Sequence, residues 1–126
     1  MSKSVIHTSK APEPIGPYNQ AIESGNMLFV SGQIAIVPET GDLLTGDIVS
    51  ETHQVMKNLG AILNEAGTDY DHIVKCSIFI KNMGDFGSIN EAYGQYFNKN
   101  APARETVEVS GLPKDVNVEI SCIAII

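Results

Sequence analysis

Short stretches in which apolar and polar residues alternate strictly are interrupted twice by stretches with apolar residues every three or four positions. That order of periods predicts the fold. Ser4 to Thr8 suits a short first strand. After the turn-rich "APEPIGPYNQ", the run Tyr18 to Glu23 predicts a strand, Ser24 to Asn26 a turn, and "MLFVSGQI" the returning strand of a hairpin. Pro38, Gly41 and Gly46 mark Ala35 to Gly46 as a loop. From Asp47 the period lengthens: Ile48, Thr52, Val55, Met56, Leu59, Ile62, Leu63 and Ala66 recur at helical spacing, with Asp47 as N-cap and Gly67 where a C-cap glycine belongs. In "HIVKCSIFIK" the alternation returns, with Val74, Cys76, Ile78 and Ile80 on one face and Lys75, Ser77, Phe79 and Lys81 on the other. Asp85 then caps a second helix carrying Phe86, Ile89, Tyr93 and Tyr96 along one side and ending near Asn98.

Two strands are expected in the last third, Arg104 to Ser110 and Val116 to Ile125, joined through "GLPKD". The order of elements predicts an α+β fold, a mixed β-sheet with two helices packed on one face. No linker, repeat or low-complexity tract divides the 126 residues, so a single domain over 1–126 is expected. The sheet face without helices must be covered if it is apolar, which predicts oligomerisation through it.

In the expected final hairpin, Arg104, Thr106 and Glu108 share one parity, as do Asn117, Glu119 and Ser121 in the partner strand. A turn about Leu112 and Pro113 would set Thr106 opposite Glu119 and make Arg104 and Glu119 neighbours on one polar face. By spacing alone such a strip reads as a solvated face with a cross-strand ion pair. A slip of one residue would separate the two parities. Arg104 nevertheless stands apart, because the other seven basic residues are lysines spread from Lys3 to Lys114. A planar guanidinium grips a carboxylate with two parallel hydrogen bonds, which lysine cannot do, so a small carboxylate is the natural ligand class.

Charge narrows the function further. A net charge of −7 and a pI near 4.7 argue against nucleic acid as a principal ligand, since that binding rests on Lys and Arg neutralising phosphates. No window approaches the roughly 20 apolar residues of a membrane span, and no basic segment precedes an apolar leader, so a cytoplasmic location is expected. Cys76 and Cys122 sit in apolar alternating runs without a CxxC and read as core residues. His7, His53 and His72 form no ligand pattern, so no metal is expected.

Four segments carry a resemblance. "IGPYNQAI" (Ile15 to Ile22), "VSGQI" (Val30 to Ile34), "GDFGSIN" (Gly84 to Asn90) and "PARETVEVSGLPKDVNVEI" (Pro102 to Ile120) resemble the Rid or YjgF family of reactive intermediate (imine) deaminases over essentially the whole chain. The resemblance implies a chorismate-mutase-like subunit in a homotrimer, with clefts at the subunit interfaces. It also implies cofactor-free hydrolysis of 2-imino acids, released as enamines such as 2-aminoacrylate, to 2-oxo acids and ammonia.

Carried over by position, Arg104 would hold the substrate carboxylate and Glu119 would position or activate the water. Tyr18 would line the cleft, Asn90 would be a polar residue of the second-helix segment, and Ser31 and Gly32 would form the wall. At Thr106, where some relatives carry cysteine, the implied role falls mainly to the backbone carbonyl. An alternative use of the same cleft is non-catalytic binding of a 2-oxo acid or similar carboxylate as a regulatory module. Endoribonuclease or chaperone-like activity fits the acidic composition least well.

Overall fold

The computed structural model describes residues 2–126. Six strands form one mixed sheet: β1 (Ser4–Ile6), β2 (Ala21–Ser24), β3 (Met27–Gln33), β4 (Ile73–Ile80), β5 (Ala103–Glu108) and β6 (Val118–Ile125). Their spatial order is β1-β2-β3-β6-β4-β5, with helices α1 (Ile48–Glu65) and α2 (Phe86–Gly94) completing the chain. This is the α+β arrangement expected from the periodicity.

The local signals act as their chemistry requires. Gly25, at a φ of 62°, lets β2 turn directly into β3. The Asp47 side chain accepts from the Ser50 backbone N–H at 3.1 Å and so caps α1, which ends before Gly67 at a φ of 82°. Between the helices and the sheet lie Val55, Met56, Leu59, Ile62 and Leu63 of α1 against Cys76, Ile78 and Ile80 of β4 and Val118, Ile120 and Cys122 of β6. Each of these larger aliphatic side chains contributes roughly 1.5–3 kcal/mol by leaving water.

Some element limits differ from the sequence pattern. Strand β2 starts at Ala21 rather than Tyr18, because Tyr18 belongs to the loop that leads into the sheet. A bulge between Ile73 and Lys75 takes Val74 off the buried face, and Ile73 replaces it in the core. Helix α2 stops at Gly94, although Tyr96 and Phe97 still pack against the core. Asp85 stands at its N-cap position without a side-chain bond; Asn82 does the capping, one turn earlier, by accepting from the Gly84 N–H.

The larger correction concerns the last two strands. They do not form a hairpin, because β4 lies between them: β5 runs parallel to β4, and β6 runs antiparallel to it. A parallel pair needs a crossover, and α2 supplies it in a β4-α2-β5 unit. The connection from β5 to β6 contains a helical turn at Pro113–Asp115, and it crosses two strand spacings, roughly 10 Å, rather than making a tight turn.

The faces follow from this topology. Cys122, Cys76 and Arg104 form one row across β6, β4 and β5 on the helix side. Glu119, Phe79 and Val107 form a row on the opposite, helix-free side. Arg104 and Glu119 therefore occupy opposite faces of the sheet, not one polar strip. The helix-free face is mixed: Val5, Phe29 and Val107 are substantially exposed beside Ser77, Ser121 and the Lys75–Glu105 ion pair, and no helix of the described residues covers it.

Candidate functional site

A cleft of about 340 Å³ opens between the loop that precedes β2 and the start of β6, with Pro14, Tyr18, Ser31, Gly32, Pro113 and Glu119 among its walls. The β3 pairing with β6 shifts register between Val30 and Gln33, and this irregularity sets Ser31 and Gly32 at the cleft. The loop is tied to β3 at Ser31, whose N–H donates to the Gln20 carbonyl at 2.9 Å and whose hydroxyl donates to the Asn19 carbonyl at 2.6 Å. The Tyr18 hydroxyl accepts from the Ile15 N–H at 3.2 Å, which holds the ring across the mouth.

Glu119 projects from β6 over Gly32. A Cβ at position 32 would sit 2.8 Å from Glu119 Cδ and closer still to Oε2, so only glycine leaves room for the carboxylate. Among the described residues no side chain hydrogen-bonds to the Glu119 carboxylate. Burial, with no compensating cation, holds its pKa above the ordinary carboxyl value. A half-buried, unpaired carboxylate in a cleft has the properties of a general base.

Arg104 lies elsewhere. It projects from edge strand β5 towards α2, its Cζ 5.2 Å from the centroid of the Tyr93 ring and 5.6 Å from that of Phe86. The two rings cradle the guanidinium through their π-faces, and no carboxylate of the described residues pairs with it. Asn90 stands between Phe86 and Tyr93 on the same side of α2, at helical spacing. Thr106, two residues along β5, shares the Arg104 face, and its hydroxyl is buried without a hydrogen-bond partner.

The seven candidate residues thus fall into two groups. Tyr18, Ser31, Gly32 and Glu119 meet in the cleft, while Arg104, Thr106 and Asn90 gather at the β5–α2 edge. One chain does not bring the groups together.

The family profile described as Endoribonuclease L-PSP matches residues 8–126. The chain belongs to this family, the YjgF/Rid family. A RutC family protein of Pyrococcus abyssi is 52% identical, over 98% of each chain. The mouse (Mus musculus) protein named 2-iminobutanoate/2-iminopropanoate deaminase is 43% identical, over 98% of this chain and 91% of its own length. Among solved structures, E. coli TdcF with bound serine superposes with a TM-score of 0.94 at 40% identity, covering 98% of each chain.

The Rid-family frame leaves some of the site unread in sequence. Phe86 and Tyr93 were legible as one side of a helix, but not as the cradle of Arg104, because that contact depends on β5 lying beside β4. Gln20, within "IGPYNQAI", has a role that the alternation of the chain does not mark. It is almost fully buried, its amide donating to the carbonyls of Thr8, Ala11 and Pro12 and accepting from the Thr8 N–H, and so it shapes the cleft loop. Its partners lie 8 to 12 residues earlier in the chain, so local pattern alone gives no signal for this role.

Proposed function

We propose that this Rid-family chain is an enamine/imine deaminase that hydrolyses 2-imino acids, arising from enamines such as 2-aminoacrylate, to 2-oxo acids and ammonia. The observation that carries the reading is the Glu119 carboxylate, half-buried and unpaired over Gly32 in a cleft sized for a small molecule. Relatives named as deaminases support it, as does the serine bound to TdcF, a small molecule with an α-carboxylate.

The iminium carbon is already electrophilic. Glu119 takes a proton from water as the oxygen attacks that carbon, giving a tetrahedral amino alcohol. The proton then passes to the nitrogen; as Glu119 takes the proton of the new hydroxyl, the C–N bond breaks, the C=O of the 2-oxo acid forms, and the departing ammonia takes up that proton as ammonium, which returns Glu119 to its carboxylate form. Arg104 holds the substrate carboxylate in a two-point grip, so that binding fixes the carbon relative to the water. Neither step calls for a metal or organic cofactor.

Arg104 reaches the same substrate as Glu119 through a second copy of the chain. We take the assembly to be a homotrimer joined through the helix-free sheet face, whose exposed Val5, Phe29 and Val107 would be covered there. The β5–α2 edge of one subunit, with Arg104, Asn90 and Thr106, closes the Tyr18–Gly32–Glu119 cleft of the next. The separation of the two groups in one chain and the uncovered face support this arrangement.

The test generates 2-aminoacrylate or 2-iminobutanoate in situ and follows its disappearance with and without the protein. Acceleration is expected, with loss in Glu119→Gln. No acceleration, or RNA cleavage that persists through repurification in its place, would overturn the reading.

A further inference from the structure

Three polar side chains, Glu51, Thr52 and Asn58, interrupt the apolar buried face of α1, and the Thr52 hydroxyl is satisfied within the helix by donating to the Ile48 carbonyl at 2.8 Å. Glu51 is completely buried and Asn58, two turns later, almost so, placing both on the side of the helix that faces the sheet. Buried carboxylates are rare unless their oxygens are satisfied. Those of Glu51 are: Oε2 accepts from the backbone N–H groups of Asn117 at 2.8 Å and Val118 at 3.2 Å, and Oε1 accepts from Asn117 Nδ2 at 2.8 Å. Asn58 donates to the carbonyls of Ile34 at 3.0 Å and Ile36 at 2.9 Å.

These contacts fall on the two walls of the cleft. Asn58 holds the chain just after Ser31 and Gly32, and Glu51 holds the chain just before Glu119. The need for a clamp at Asn117 is visible in the sheet. Pairing of β6 with β3 ends at Ile120 opposite Gln33, so at Glu119 the strand is paired to β4 alone. The approach to this point is also unfavourable: Lys114 and Asp115 have left-handed φ values of 54° and 57°. Glu51, in the first turn of α1, is well placed electrostatically as an acceptor there.

We propose that Glu51 is a positioning residue for Glu119: its buried carboxylate replaces the missing ladder partner, fixes the backbone of Asn117 and Val118, and so delivers the Glu119 side chain over Gly32. Asn58 braces the opposite wall from the same helix face. The inference rests on the deaminase reading for the consequence in catalysis, but not for the placement of the strand.

The experiment compares Glu51→Gln, which keeps one acceptor oxygen at the backbone donors, with Glu51→Met, which keeps the volume and no acceptor. Both are checked for folding by circular dichroism. With imine generated in situ, kcat per folded molecule is expected to fall about 3-fold in E51Q and about 30-fold in E51M, with KM unchanged within about twofold. Amide exchange at Asn117 and Val118 is expected to quicken by at least about 10-fold in E51Q, while Cys76 and Ile78 stay protected.

A folded E51M with unmodified kcat, or protection lost evenly across β4 and β6, would overturn the proposal in favour of a purely structural role. If E51M does not fold, E51Q decides by the same two readouts. Absence of imine turnover in the unmutated protein would sink the deaminase reading alone, and the exchange pattern would still decide whether Glu51 holds the strand.

Discussion

The carboxylate of Glu119 lies against the bare α-carbon of Gly32, where a Cβ would come within 2.8 Å of Glu119 Cδ. The atom displaced by a methyl group at this position is the end of a flexible side chain, so the fold tolerates the change and the site does not. Gly32→Ala is expected to lower imine turnover at least about 10-fold by misplacing the base, with a small shift in thermal midpoint. Turnover at the unmutated rate in G32A would mean that the carboxylate does not act from this position.

Arg104 tests the other half of the site. Arg104→Lys retains the charge and loses the two-point grip, so kcat/KM is expected to fall about 10-fold, and about 100-fold in Arg104→Ala. Initial rates on 2-aminoacrylate, measured beside a melting curve, separate this from unfolding. R104A hydrolysing the imine as fast as the unmutated protein would remove the clamp.

The titration of Glu119 gives a signed expectation. Burial raises its folded pKa above the ordinary value of 4.5, so the protonated form is favoured in the native state. The associated stability is complete below that ordinary value and is lost as pH rises through the raised one. Glu119→Gln, which cannot ionise, escapes the loss. The difference in thermal midpoint, E119Q minus unmutated protein, is therefore expected to grow as pH rises through this window. A difference that shrinks instead would mean that the Arg104 brought to the cleft in the proposed assembly outweighs burial in setting the Glu119 titration.

The proposed shared cleft predicts complementation between variants, which a site within one chain would not give. R104A and E119Q are each expected to lose nearly all activity. Mixed in equal amounts through unfolding and reassembly, they should regain activity, because about one cleft in four then combines the intact Arg104 of one chain with the intact Glu119 of another. Sedimentation of the unmutated protein should give a trimer. Dead variants that stay dead after mixing, in a confirmed oligomer, would show that each chain works alone.

The fold was largely legible in the chain because its signals are local. Asp47 and Gly67 bracket α1 by capping chemistry, Gly25 permits the tight turn between β2 and β3, and the alternation in β4 and β6 exposes their buried faces. The final strands were misread for an equally physical reason. Alternation tells which residues of a strand share a face, but strand neighbours are chosen by tertiary packing, and "GLPKD" looks like a hairpin turn although β4 occupies the space between its strands. Glu51 shows a similar limit. Its place beside the apolar positions of α1 was readable, but its partners Asn117 and Val118 lie 66 and 67 residues away.

By itself the sequence determined the alternation of two periods, the caps and turns, the acidic surface, the singular arginine and the four segments that mark the YjgF/Rid family. These depend on residues close together in the chain, or on identity alone. The tertiary structure decided that Glu119 stands over Gly32 in a cleft while Arg104 rests between Phe86 and Tyr93 on the other side of the sheet. That decision belongs to strand order and register together: once α2 carries β5 to the outer edge of β4, Arg104 falls in the row of Cys76 and Cys122, and Glu119, three residues before Cys122, takes the opposite face.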